Sequence, residues 1–189
     1  SYIESEGNVD CKGAAVAVAG PVRDGKGSLT NLDWSFDKAS VARATGAETV
    51  AVLNDLQAQG HAIGRIADDN LTVIVDGPEP SENSAKLVIG AGTGFNAAPV
   101  FDTATGRYVP PSEAGHANMP IRTAEDLRLA KFVETAHGFP GIEDVLSGRG
   151  LERIYAWLAD EDGAPSEKRS TEIMAGAEDG SDPRATRAI

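Results

Sequence analysis

Between positions 86 and 101 the chain reads as a strand, a glycine-rich turn and a second strand, and no helix follows the glycines. Lys86-Leu87-Val88-Ile89 leads into Gly90-Ala91-Gly92-Thr93-Gly94, and Phe95-Asn96-Ala97-Ala98-Pro99-Val100-Phe101 resumes the strand pattern. That order excludes a Walker loop, because no Gly-Lys-Ser/Thr follows, and a dinucleotide fingerprint, which opens a helix. The segment is expected to be a hairpin. Its glycines let the backbone take positive φ and bring N–H groups against an anion, with the Thr93 hydroxyl as a further donor. A plain hairpin connection satisfies the same pattern.

A second apolar run, Glu48-Thr49-Val50-Ala51-Val52-Leu53, ends in Asn54-Asp55. It reads as a buried strand that delivers an amide and a carboxylate at its carboxyl end, where ligands sit in open parallel sheets. Asp55 is therefore a candidate base. It is equally a candidate N-cap for a helix over residues 56–66.

Pro110-Pro111-Ser112-Glu113-Ala114-Gly115-His116 and Gly141-Ile142-Glu143-Asp144-Val145-Leu146-Ser147-Gly148 carry the remaining polar groups of interest. Glu113 and His116 are three apart, but the prolines and Gly115 argue for a loop, so a helical metal-ligand pair is a poor reading. A lone His beside a Glu in a loop also fits an ordinary polar contact. Glu143 fits a first-turn acid favoured by the helix dipole.

Along the rest of the chain, residues 14–19 are expected as a short buried strand, Asp24-Gly25 as a hairpin turn and 28–34 as its partner. Trp34 is expected to pack. Asp37 should cap a short helix that Gly46 ends. Residues 71–75 read as another strand, separated from 86–89 by the loop 76–80. Thr123 should begin a helix with Leu129, Phe132, Val133 and Ala136 on its apolar face, and Leu151, Ile154, Tyr155 and Leu158 repeat the spacing. The last thirty residues, with few large apolar side chains, read as a loosely ordered helix or loop.

A net charge of −12 argues against a nucleic-acid partner. The single cysteine, Cys11, excludes an internal disulfide and a cysteine-rich zinc site. No apolar run reaches membrane-spanning length, and no signal peptide opens the sequence, so the expected compartment is the cytoplasm with no membrane partner.

In this order the segments resemble the bacterial glucokinase family, hexokinase-like kinases. The likeness runs from about position 14 to about 158. It is carried by Ala19-Gly20-Pro21-Val22, Leu29-Thr30-Asn31-Leu32-Asp33-Trp34, Asn54-Asp55, the glycine turn, Glu113-Ala114-Gly115-His116 and Val145-Leu146-Ser147-Gly148-Arg149-Gly150-Leu151. The resemblance implies an α/β chain of the ribonuclease H-like, actin-type ATPase fold, with mixed sheets and flanking helices. Residues 1–55 would be part of a small lobe and 56–158 part of a large one, with 159–189 an acidic polar tail. It implies ATP-dependent phosphorylation of the glucose 6-hydroxyl. Asp55 would be the general base, Asn54, Glu113, His116 and Glu143 would bind glucose, and Asn31 and Trp34 would lie near the sugar. Gly92, Thr93 and Gly94 would hold nucleotide phosphate. ATP and Mg²⁺ are the implied cofactors, no protein-bound metal site is implied, and the parent is expected to be a homodimer.

The sequence departs from the family pattern in having no Asp-x-Gly-Gly-Thr phosphate loop and no glycine-rich adenosine segment, so the fold is expected to be incomplete at both ends and the 189-residue chain inactive alone. Phe95-Asn96 follows the glycine turn where a second small residue is common, and Ala114 stands where the family often has Gly. Two other readings compete: a sugar-binding sensor or pseudokinase without catalysis, and a metal-dependent hydrolase using Asp55, Glu113 and His116.

Overall fold

The computed structural model describes residues 5–7, 9–28, 34–81 and 83–189, without the side chains of 135–137. Of the expected features, residues 29–33 with Asn31, and the Ala136 side chain, lie outside what is described. The chain is mixed α/β and divides into two compact units, Ser1–Val88 with Ala98–Pro111, and Ile89–Ala97 with Ser112–Ile189. The expected division after residue 55 falls inside the first of these.

In the first unit, β1 (Gly13–Val18) is followed by the short strands β2 (Val22–Arg23), β3 (Lys26–Ser28) and β4 (Ser35–Asp37). Then come α1 (Lys38–Thr45), β5 (Thr49–Asn54) and α2 (Asp55–Ala62). Asp24 and Gly25 both take left-handed φ, 52° and 73°, as a two-residue hairpin turn requires. So tight a turn pairs the residues beside it, β2 with β3, and β4 adds antiparallel to β3. β1 is left to pair parallel with β5, placing Val18 opposite Asn54. Of the expected partner strand 28–34, Ser28 pairs with Ser35, and residues 29–33 lie outside what is described. β1 is also less buried than expected: exposed and half-buried residues alternate along it, and only Val18 is fully covered. Trp34 is a further correction, being 63% exposed with its ring 5.7 Å from that of Phe36.

Helix α1 begins and ends as expected. Asp37 accepts from Ser40 N–H at 2.7 Å, and Gly46, at φ 70°, donates its N–H to Ala42 O. Helix α2 lacks such a glycine stop. The Arg107 guanidinium serves its last carbonyls instead, donating to Gly60 O, His61 O and Ile63 O. The core of this unit joins Leu56 to Ala98, Val100 and Val109, with Ile63 and Val88 packed against them. A side chain on Gly60 would lie 2.8 Å from Val109 Cγ1, so the helix approaches this core closely only as glycine.

Residues 71–75 form no strand, contrary to expectation. No described strand pairs with them, and Ile74 is 91% exposed. β-branched residues favour strands where a neighbour offers a half-buried pleated surface, and none of the described strands does so here.

Strands β6 (Lys86–Ala91), β7 (Phe95–Thr103) and β8 (Gly106–Tyr108) form a three-stranded sheet in that order, and the unit boundary cuts β6 and β7. The second unit then holds α3 (Ala124–His137), α4 (Gly148–Glu161), α5 (Ser170–Glu178) and α6 (Pro183–Ala188). Thr123 and Asp126 form a reciprocal cap on α3, and Gly138 closes it at φ 79°. Met119, Ala130 and Val133 form one small core.

Residues 159–189 are not a loose tail. Ile173 and Ala185, both fully buried, and Ala188 pack against Tyr155, Trp157 and Leu158 of α4. Small residues supply what large ones would: Gly176 lets the backbone of α5 approach Asp182, where an added Cβ would lie 3.0 Å from the Asp182 Cβ. Asp182 caps α6 and accepts from Lys168 Nζ at 2.7 Å and from the Tyr155 hydroxyl at 2.9 Å. Among the described residues no helix is long and apolar enough to cross a membrane.

Candidate functional site

The glycine turn joins β6 to β7 as expected, but for a different reason. Neither Gly92 nor Gly94 has a positive φ. What excludes a side chain at Gly94 is crowding, since a Cβ there would lie 2.5 Å from Glu143 Oε2. At Gly92 the space is open, with nothing within 4 Å of an added Cβ, and the Thr93 side chain is exposed. An anion therefore has room to approach. The turn is fixed from behind: Gly92 N–H donates to Gly94 O, Gly148 N–H donates to Gly92 O at 2.7 Å, and Arg149 Nε donates to Thr93 O at 3.0 Å.

Glu143 sits in a single 3₁₀ turn, Ile142–Asp144, and not in the first turn of an α-helix. Its carboxylate is half-buried. Oε2 accepts from Phe95 N–H at 2.9 Å, and Oε1 stands 3.6 Å from Arg149 Nη2. Beside it, Asp144 is buried and holds Gly141 N–H at 2.9 Å and Arg153 Nη1 at 2.6 Å, which fixes the turn.

Glu113 precedes a second 3₁₀ turn, Ala114–His116, where a plain loop was expected, and both Glu113 and His116 are exposed. Gly115 between them is buried against β7. A Cβ there would lie 2.1 Å from Phe95 O and 3.2 Å from Glu143 Cβ. The two turns are zipped by Ile142 N–H to Ala117 O and Met119 N–H to Pro140 O, both at 2.8 Å. Gly92, Thr93, Gly94, Glu113, His116 and Glu143 thus come together in the second unit around the start of β7. Among the described residues no group of three His, Cys, Asp or Glu is placed to hold a metal ion. A nucleotide-bound Mg²⁺ needs few protein ligands, so the residues present are compatible with it.

Asn54 and Asp55 belong to the first unit, at the end of β5. The helix cap is Asn54, not Asp55. Asn54 is buried at 7% exposure, accepts from Gln57 N–H at 2.7 Å and donates its own N–H to Gln57 Oε1 at 3.1 Å. Asp55 is the first helical residue and is exposed, with Oδ1 accepting from Leu56 N–H at 2.9 Å. Capping therefore does not occupy the Asp55 carboxylate, which is exposed.

Sequence reasoning assigned no role to Asn96 or Arg149. Asn96 Oδ1 accepts from Ala97 N–H and Ala114 N–H, both at 2.8 Å, and Nδ2 donates to Ser112 O at 2.5 Å. It ties the segment carrying Glu113 to β7. The departure of Phe95-Asn96 from the family pattern was the available signal.

The glucokinase family matches this chain over residues 1–189. The glucokinase of Saccharophagus degradans is 34% identical over 183 residues, covering 96% of this chain and 56% of that protein. That of Sinorhizobium fredii is 33% identical over 180 residues, covering 94% and 52%. The crystal structure of glucokinase from an Antarctic psychrotroph superposes with a TM-score of 0.83 at 30% identity, covering 99% of this chain and 58% of the other. The chain spans about half the length of the curated relatives it matches. With a family match along all of its residues, the chain belongs to the glucokinase family.

Proposed function

We propose that the intact protein carrying this chain transfers the γ-phosphoryl group of ATP to the 6-hydroxyl of glucose. Asp55 is the general base that takes the hydroxyl proton as the oxygen attacks phosphorus. Asn54, Glu113, His116 and Glu143 hold the other hydroxyls. Each sugar hydroxyl both donates and accepts, so an amide, an imidazole and carboxylates orient the ring, and an analogue lacking a hydroxyl leaves a polar group unpaired. Gly92, Thr93 and Gly94 receive the phosphates, and Mg²⁺ neutralises charge on the nucleotide oxygens. Positioning and electrostatics carry most of such a transfer, and the base adds about 10²–10⁴-fold.

The observation that carries this reading most is the placement of the Glu143 carboxylate against the glycine turn, with Oε2 2.9 Å from Phe95 N. A sugar acceptor beside a phosphate turn is what in-line transfer requires. The actin-type ATPase fold, the assignment of 1–55 to a smaller and 56–158 to a larger lobe, the cytoplasmic setting and a homodimer complete the proposal. For the dimer, Leu127 at 44% exposure offers apolar surface on α3, whereas Trp157 of α4 is core.

A coupled assay of the intact protein with glucose, ATP and Mg²⁺ tests the reading. Glucose-dependent ADP formation at ordinary enzyme rates, about 1–10³ s⁻¹, is expected. Glucose binding with no ADP formed would favour the sensor reading instead.

A further inference from the structure

Arg149 follows Ser147 and Gly148 at the start of α4, on a backbone with little freedom. Ser147 Oγ donates to Glu143 O at 2.7 Å and accepts from Gly150 N–H at 2.9 Å. A Cβ on Gly150 would meet the Val145 backbone at 2.6 Å, so that approach is closed to any other residue. From this fixed base the Arg149 side chain reaches two groups at once: Nε donates to Thr93 O at 3.0 Å, and Nη2 stands 3.6 Å from Glu143 Oε1. The other carboxylate oxygen is held by Phe95 N–H.

We infer that Arg149 is a positioning residue, one that fixes the Glu143 carboxylate relative to the glycine turn and so sets glucose affinity through Glu143. This rests on the reading of Glu143 as a sugar ligand. The carboxylate is held at one oxygen by a neutral N–H and faces a cation at the other, which limits rotation about its terminal bond. The planar guanidinium can serve the Thr93 carbonyl and Glu143 together. A lysine is a point charge on a flexible stem and cannot hold both geometries. Arg149 is more than half exposed, so its effect is modest and screened by salt.

A double-mutant cycle on the intact protein separates this role from a structural one. Glucose dissociation constants are measured by calorimetry, without nucleotide, for the parent, Arg149→Gln, Glu143→Gln and the double variant. Arg149→Gln is expected to weaken glucose about three- to fivefold alone, and less than about twofold when Glu143→Gln is already present. If Arg149→Gln fails to fold, Arg149→Lys takes its place in the cycle with the same pattern and a smaller effect. Equal weakening in both backgrounds overturns the inference. So does unchanged glucose affinity accompanied by a raised KM for ATP, which would assign Arg149 to the phosphates. Unchanged affinity in Glu143→Gln alone is a different failure, because it removes Glu143 from the sugar site and the inference falls with that reading.

Discussion

Gly94 and Glu143 are fitted to one another: a Cβ on Gly94 would stand 2.5 Å from Glu143 Oε2, the oxygen that accepts Phe95 N–H. The carboxylate is the far end of a flexible side chain, so it can swing away at little cost to the fold. It cannot do so and keep its place beside the turn. Gly94→Ala is therefore expected to change stability by less than about 1 kcal/mol while weakening glucose binding by about 1.5–3 kcal/mol, as for a displaced charged hydrogen-bond acceptor. Gly115→Ala is the contrasting case, because there the obstacle is the Phe95 carbonyl at 2.1 Å. Backbone cannot yield, and a loss of at least about 2 kcal/mol of stability is expected. Thermal melts and glucose titrations of the two variants check the contrast. Intact glucose binding in Gly94→Ala would sink it.

What the sequence disclosed follows from how local each cause was. The caps at Asp37 and Thr123 and the stop at Gly46 are decided within a turn of helix, and all three appear where expected. The strand, turn and strand around Gly92 were legible for the same reason. Failures came where distant neighbours decide. Residues 71–75 have strand propensity but no described strand beside them, and the packing of Ile173 and Ala185 depends on where α4 lies. At the site, residue types were legible but their partners were not. No local pattern tells that Asn54 rather than Asp55 caps α2, or that crowding by Glu143 rather than positive φ requires glycine at position 94.

Asn54 and Asp55 are adjacent but should fail differently. Asn54 caps α2, so Asn54→Ala is expected to cost about 1 kcal/mol of stability whatever else it does. Among the described residues, the Asp55 side chain accepts one hydrogen bond, from its neighbour Leu56 N–H. Asp55→Asn in the intact protein is expected to leave the melting temperature and glucose affinity nearly unchanged and to lower kcat about 10²–10⁴-fold. Steady-state kinetics with a parallel melt distinguish the two. Normal turnover in Asp55→Asn would exclude it as the base.

The net charge of −12 makes the folded chain repel itself. Raising ionic strength from about 0.01 M to about 0.15 M shortens the screening length from ~30 Å to ~8 Å. The melting temperature of the 189-residue chain is therefore expected to rise with added sodium chloride, despite weakening of exposed ion pairs such as Lys12 with Asp10. A melting temperature that falls with salt would mean that attractive pairs outweigh the net repulsion.

Asp182 gives the clearest pH dependence. Its hydrogen bond from Lys168, with others from Ala185 N–H and the Tyr155 hydroxyl, holds its carboxyl far below the ordinary 3.8, and the same contact raises Lys168 above 10.5. A carboxyl depressed in the folded state contributes stability above its unfolded value, and that contribution is lost as pH falls below about 4 toward the folded value. A raised lysine behaves in mirror image, contributing below 10.5 and losing the contribution as pH rises beyond it. The pair should therefore support α5 and α6 across the neutral range and fail at both extremes. Asn is itself a good N-cap, so Asp182→Asn keeps the cap on α6 and removes the charge. Its melting temperature should lie below that of the parent at pH 7, and the gap should narrow as pH is lowered from 5 to about 2. Circular dichroism melts across that range check it. A gap that stays constant with pH would show that the charge on Asp182 contributes nothing beyond its geometry as a cap.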